Sequence, residues 1–163
     1  MIKRGDTIPA LGVKLVSSSG TADETTADVL GQGTVVLFSV PGAFTPTCHV
    51  NHLPGFVANA GKLRAAGVDR IICASVNDHH VLKAWAEASG ALNDVEFIAD
   101  GNADLARALG LDKDFSEFGM GTRFVRSAMI LRNGVVDAVF VEDAPGVNAS
   151  GAPAILMALE AAA

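Results

Sequence analysis

Residues 34–48 read TVVLFSVPGAFTPTC, and this stretch determines the fold class of the chain. Its first seven residues are mostly apolar and rich in β-branched side chains, a pattern typical of a strand buried on both faces. A short loop follows, and Thr45 and Pro46 then predict the start of a helix, with threonine as the N-cap and proline in the first helical position. A buried strand that leads through a short loop into a helix indicates an α/β protein.

The rest of the chain continues the alternation of strands and helices. The helix that starts at Thr45 is expected to run to about Ala66, with a bend at Pro54-Gly55 and a stop at Gly67. Segment 111–121 is expected to be a surface excursion. Further strands are predicted at 70–76, 95–99, 122–131 and 135–141, and further helices from 77 or 78 to 88, at 103–109 and at 152–160.

In this order the elements predict a central mixed β-sheet flanked by helices. Two early βα units supply parallel strands, and Asn133-Gly134 joins the last two strands as an antiparallel hairpin, because this dipeptide favours a two-residue turn. The thioredoxin-like fold has this plan. With 163 residues, of which 50% are hydrophobic, the chain can bury one real core, so we expect residues 1–163 to form a single domain.

Charge and cysteine content exclude several classes of protein. The net charge of −6 argues against a nucleic-acid surface, which needs clustered lysine and arginine. Two cysteines are too few for a secreted disulfide scaffold, and the charges within residues 1–6 interrupt any signal-peptide core, so we expect a cytoplasmic protein with reduced thiols. The uncharged stretch 29–61 does not predict a membrane span, because three prolines and several polar residues interrupt it.

Cys48 is a candidate nucleophile because of its position at the start of a helix. If Thr45 is the N-cap, the thiol lies in the first turn, where free amide groups and the helix dipole favour the thiolate. A buried cysteine that only packs is the plain alternative. Three residues before Cys48 stands a threonine, so a CxxC dithiol cycle is excluded, whereas a lone reactive thiol can be oxidised to a sulfenic acid.

The sequence around Cys48 resembles the active-site signature of the peroxiredoxins. The pieces PGAFTPTC at 41–48 and HLPGF at 52–56 are similar to the type II, or fifth, subgroup in particular. Support comes from SVND at 75–78 and RSAM at 126–129, so that the resemblance spans nearly the whole chain. It implies a thioredoxin-like fold and a thiol-dependent peroxidase that reduces hydrogen peroxide and organic hydroperoxides without a cofactor, in antioxidant defence and cell redox homeostasis.

The resemblance also implies roles for individual residues. Cys48 is the peroxidatic thiol, and Thr45 would hydrogen-bond both its thiolate and the peroxide. Pro41 would shield the pocket, and Arg126 would place its guanidinium against sulfur and substrate. Such donors suit the reaction, because negative charge moves from sulfur to the departing oxygen in the transition state. Without the resemblance, the plain interpretation of Arg126 is a solvated strand residue.

The step that returns Cys48 to its reduced form stays open. In one branch of the subgroup a resolving cysteine precedes the last helix, but segment 147–153 contains none. Cys73 is either a resolving thiol or a buried structural one, and a disulfide with Cys48 would require the helix start to unwind. Otherwise an external thiol, from glutathione, glutaredoxin or thioredoxin, attacks the sulfenic acid.

Other sites and activities fit the sequence less well. A metal site at Cys48, His49 and His52 lacks a second pair of ligands, so no metal is expected. A cysteine hydrolase is a second alternative, but the sequence shows no acyl-transfer signature. A third is a thioredoxin-fold binding or chaperone module with an inert thiol, which an ordinary alkylation rate at Cys48 would favour. Members of the family commonly form homodimers through faces near the active site, where Phe44 and Phe118 are the expected apolar contacts.

Overall fold

The computed structural model describes residues 1–162, in which helices cover both faces of a mixed sheet. The strands are β1 Gly12–Ser17, β2 Gly20–Thr25, β3 Thr34–Val40, β4 Arg70–Ser75, β5 Glu96–Ala99, β6 Asp112–Asp114, β7 Thr122–Phe124, β8 Ser127–Arg132 and β9 Val135–Val141. The helices are α1 Thr26–Leu30, α2 Leu53–Ala58, α3 Ala60–Ala65, α4 His79–Ala88, α5 Asp104–Leu109 and α6 Ala152–Ala162. A π-helical turn, Cys48–His52, leads into α2, and a 3₁₀ turn, Ser116–Phe118, lies between β6 and β7.

Seven strands form one sheet in the order β2-β1-β5-β4-β3-β8-β9. The strands β3, β4 and β5 run parallel to one another, whereas β1, β8 and β9 pair antiparallel with their neighbours. This mixed sheet confirms the predicted α/β class and thioredoxin-like plan. Within residues 1–162, no helix combines the length and the apolar character that crossing a membrane requires.

Strand β3 is buried on both faces, as its apolar run predicts. Val36 and Phe38 pack with helices α2, α3, α4 and α6 on one face, and Val35 and Leu37 pack with α1 and α5 on the other. The ring of Phe38 stacks on that of Phe56 from α2, with 4.1 Å between the centroids. This contact places the helical segment that follows Cys48 directly against β3, the strand that precedes the loop before Cys48.

The predicted long helix is more irregular than the sequence suggested. Its bend was placed at Pro54-Gly55, but the irregularity lies just before the proline, in the π-helical turn, where the amide of Leu53 donates to the carbonyl of Cys48. Pro54 has no N–H for the carbonyl four residues earlier, and a wider turn accommodates this missing bond. The helical path breaks a second time at Asn59, between α2 and α3.

The hairpin β1–β2 and the helix α1 are absent from the sequence-based prediction. Strand β2 lies at the edge of the sheet and is mostly exposed, so the chain there shows no apolar alternation. Its place in the sheet depends on pairing with β1 along six residue pairs. A strand of this kind is specified by its partner and not by its own pattern.

The predicted strand 122–131 is in fact two strands with a break at Val125 and Arg126. Strand β7 pairs with β6 in a separate ribbon, so segment 111–121 is partly ordered into this ribbon, while β8 joins the main sheet. The hydroxyl of Ser39 donates to the carbonyl of Val125 at 2.7 Å and satisfies it where the ladder stops. After β8, Asn133 and Gly134 have φ values of 51° and 80°, and the predicted tight hairpin is confirmed.

Replacing Phe56 with alanine should destabilise the fold strongly, because its ring is fully buried against Phe38. We expect a loss of about 3–5 kcal/mol in the free energy of unfolding, measured by urea denaturation. Met157→Ala, at a position that is 71% exposed on α6, is the control and should stay within about 0.5 kcal/mol of wild type. Equal losses in the two variants would contradict the assigned core.

Candidate active site

Cys48 lies in the first turn of the helical segment, where the sequence placed it. Residues 46 and 47 are already helical, and the amide of His49 donates to the carbonyl of Thr45 at 2.9 Å. The thiol is fully buried in the core cluster beneath the loop. Its sulfur accepts a hydrogen bond from Nη2 of Arg126 at 3.0 Å. A cation therefore touches the sulfur directly, across a separation of 78 residues in the chain.

The second nitrogen of the same guanidinium is bound by His52, which the sequence analysis did not assign to the site. Nη1 of Arg126 lies 3.0 Å from Nδ1 of His52, and Nε2 of His52 lies 2.8 Å from the carbonyl of Ser150. Burial lowers the pKa of His52 to about 4, so the ring is neutral near pH 7. The N–H at Nε2 donates to this carbonyl, so Nδ1 carries the lone pair that accepts from the arginine.

One sequence signal pointed to this contact. His52 follows Cys48 by four residues, and side chains at that spacing lie on the same face of a helix. Cys48, His49 and His52 superficially suggest a metal site, but His52 instead provides a neutral acceptor beside the arginine that contacts the thiol. No cluster of three or more metal-ligating side chains occurs among residues 1–162.

Hydrogen bonds within the loop before Cys48, and one from Arg123 outside it, hold this loop in place. The hydroxyl of Thr45 donates to the carbonyl of Gly42 at 2.6 Å, so its proton goes to the loop and not to the sulfur. The carbonyl of Pro41 accepts from Nη1 of Arg123 at 3.2 Å. Arg123 is a second arginine that the sequence analysis missed, since nothing in its own neighbourhood connects it to a loop 82 residues away.

A cavity of about 380 Å³ opens at the arginine. Pro41, Thr47 and Arg126 are among the residues that line it. Phe115 and Phe118, which come from the segment between β6 and β7, also line it. The segment expected to be a surface excursion thus supplies apolar side chains to the cavity.

Cys73 lies on β4, on the same face of the sheet as Cys48, and pairs in register with Phe38. Both thiols are free and fully buried. Burial, and secondarily the proximity of Cys48, raise the pKa of the Cys73 thiol well above its ordinary value. Cys73 is therefore held as the protonated thiol, the less nucleophilic form.

A buried thiol in contact with an arginine, at a helix start on a thioredoxin-like sheet, is the arrangement of a thiol-based redox protein. The Redoxin family model matches residues 3–156. Peroxiredoxin-2D of Arabidopsis thaliana is 38% identical over 156 residues, which are 95% of this chain and 96% of that protein. The chloroplastic peroxiredoxin-2E-2 of Oryza sativa subsp. japonica is 46% identical over 138 residues, 83% of this chain and 61% of the relative.

Solved structures agree with the sequence relatives. Reduced Prx3 of Vibrio vulnificus in complex with hydrogen peroxide superposes with a TM-score of 0.91 at 44% identity, covering 98% of this chain and 97% of that one. The chain belongs to the peroxiredoxin family. It is a thiol-dependent peroxidase, an oxidoreductase that acts on peroxides.

The neutral state of His52 should make stability depend on pH. The pKa of His52 is about 4 in the folded protein and near 6.5 in the unfolded chain, so the unfolded state binds more protons between these values and stability falls as the pH falls through this window. Between about pH 7.5 and pH 5, wild type should lose roughly 2 kcal/mol more unfolding free energy than His52→Gln, which cannot titrate. Urea denaturation at both pH values measures this, and equal losses would contradict a buried neutral histidine.

Proposed function

We propose that Cys48 is the thiol that attacks the peroxide, and the bond from Arg126 to its sulfur is the observation that carries the proposal. In the reaction a sulfur lone pair forms an S–O bond while the O–O bond breaks. The departing oxygen leaves as hydroxide or alkoxide, takes a proton and becomes water or an alcohol. Sulfur is oxidised to the sulfenic acid.

Arg126 suits both ends of this displacement. Its guanidinium stays charged at any working pH and carries donors in a rigid fork. One arm contacts the sulfur where negative charge begins, and the same group lines the cavity through which a peroxide would enter. A preorganised cation at this point stabilises the charge as it passes to the departing oxygen.

Thr45 and Pro41 complete the proposed site. While the hydroxyl of Thr45 donates to Gly42, its oxygen still has lone pairs, so it can accept the O–H of a hydroperoxide and orient it. If the hydroxyl rotates away from Gly42, it can donate instead. Pro41 lines the cavity together with Arg126. Its proposed role is to restrict the access of water to the sulfur.

For the reductive half of the cycle we propose an external thiol, from glutaredoxin with glutathione or from thioredoxin. Cys73 is fully buried and its raised pKa leaves little thiolate to attack a sulfenic acid. The sulfenic acid is then attacked by the external thiol, water leaves, and a mixed disulfide forms. A second thiol releases Cys48 in its reduced form.

Consumption of hydrogen peroxide and of an organic hydroperoxide by wild type, Cys48→Ser and Cys73→Ser tests this cycle, with thioredoxin and separately with glutaredoxin plus glutathione. Cys48→Ser should lose all activity, because serine is not a nucleophile of comparable strength. Cys73→Ser should keep most of it, within about threefold of wild type, since its hydroxyl only perturbs packing. An inactive Cys73→Ser with an intact circular dichroism spectrum would show that Cys73 resolves.

The proposal extends to a homodimer in the cytoplasm. Phe44, in the loop before Cys48, is 48% exposed, and Phe118, which lines the cavity, is 70% exposed. Large apolar side chains at exposed positions favour a protein contact. Two free thiols favour a reducing compartment. Sedimentation equilibrium should give a dimer for wild type and a shift towards monomer for Phe118→Glu; a wild-type monomer at high concentration would refute the dimer.

A further inference from the structure

We propose that Glu142 is a positioning residue for the reactive centre, acting on Arg126 through Ser150 and His52. The Glu142 network consists of these four residues. It runs from the carboxylate of Glu142 to the Ser150 segment, from the carbonyl of Ser150 to Nε2 of His52, and from Nδ1 of His52 to the guanidinium that contacts Cys48. The inference rests on the proposed role of Arg126 beside the thiol.

The first link is the segment 148–150, which has no helix or strand of its own. The carboxylate of Glu142 accepts from the amides of Asn148, Ala149 and Ser150 at 2.9, 2.9 and 2.8 Å, and from the hydroxyl of Ser150 at 2.7 Å. Partial burial opposes ionisation, but the bonds from Ser150 and its neighbours outweigh it and lower the pKa of Glu142. One charged side chain thus orders an irregular segment and fixes where the carbonyl of Ser150 points.

The second link is the orientation of the histidine ring. Phe38 and Phe56 pack against the ring, with centroids 5.0 and 5.6 Å away, so its plane is confined. The carbonyl of Ser150 accepts a hydrogen bond from the N–H at Nε2, and a neutral imidazole protonated at Nε2 has its lone pair at Nδ1. Moving this carbonyl would remove the reason for that tautomer and with it the acceptor for Nη1.

The third link fixes both the backbone and the side chain of Arg126. The amide of Glu142 donates to the carbonyl of Arg126 at 3.0 Å, and the side chain is held through His52 at Nη1. With the backbone and Nη1 both fixed, the other nitrogen is directed at the sulfur of Cys48. Arg126 forms no salt bridge within residues 1–162, so this long side chain is oriented without a carboxylate that would neutralise it.

A positioning role and a simple charge effect have opposite signs. Removing a negative charge near Arg126 and Cys48 favours the thiolate by Coulomb's law, so Cys48 would react at lower pH. If Glu142 aims the arginine, its loss loosens the cation from the sulfur and Cys48 needs a higher pH to react. Asp143 is the matched control, because it is an exposed carboxylate in the adjacent position.

The test is the pH profile of iodoacetamide alkylation at Cys48, measured in a Cys73→Ser background without any peroxide. We expect Glu142→Gln to move the midpoint of the profile to higher pH and to slow alkylation at pH 7 by about three- to tenfold. Glutamine keeps the size of the side chain but removes its charge. A single amide oxygen then replaces the carboxylate oxygen that accepts from four donors, and it is a weaker acceptor, so the network loosens. Asp143→Asn should leave the midpoint in place or lower it.

A second variant keeps the test valid if Glu142→Gln folds poorly in thermal melts. His52→Gln removes the Nδ1 acceptor and should shift the profile in the same direction. The double variant should shift no further than the larger single one, because both break one chain of contacts. Additive shifts, or a Glu142→Gln profile that follows Asp143→Asn, would overturn the inference.

Arg126→Ala separates this inference from the proposal on which it rests. If Arg126→Ala moves the profile to higher pH and Glu142→Gln does not, Arg126 acts on the thiol but Glu142 does not position it. If Arg126→Ala leaves the profile unchanged, the proposed role of the arginine fails, and the positioning role of Glu142 fails with it.

Discussion

The hydrogen bond from Arg126 to the sulfur of Cys48 is the interaction on which the site depends. It places a permanent cation against a fully buried sulfur, and a charge in such a place is stable only if its surroundings supply acceptors. The neutral ring of His52 supplies one such acceptor, Nδ1, to which Nη1 of Arg126 donates. The fold provides the rest of the environment by bringing together the end of β3, the first turn of the following helix and the break between β7 and β8.

Two departures from regular secondary structure bring Arg126 into contact with Cys48 and His52. The π-helical turn Cys48–His52 compensates for the amide that Pro54 lacks, and it contains both the thiol and the histidine. The break before β8 turns Arg126 out of the ladder, and Ser39 satisfies the carbonyl that the break exposes. Each irregularity coincides with a functional side chain, as expected where regular secondary structure would direct that side chain elsewhere.

The two cysteines show how environment separates identical groups. Cys48 lies at a helix start beside a cation, whereas Cys73 lies within a β-strand and is surrounded by apolar side chains. Burial raises the pKa of the Cys73 thiol and favours its protonated, less nucleophilic form. Both thiols are fully buried, so exposure does not distinguish them; the arginine that donates to the sulfur of Cys48 does.

The sequence by itself determined the buried strand β3, the helix start at Thr45, the hairpin at Asn133-Gly134 and the place of Cys48, because each depends on neighbours within a few residues. Its resemblance to a family indicated Arg126, which no local pattern would have singled out. Only the tertiary structure decided the edge strand β2, the bracing of the loop by Arg123, and the network from Glu142 to His52. These depend on contacts between residues tens of positions apart, where the packing of the whole sheet, and no local preference, decides which groups meet.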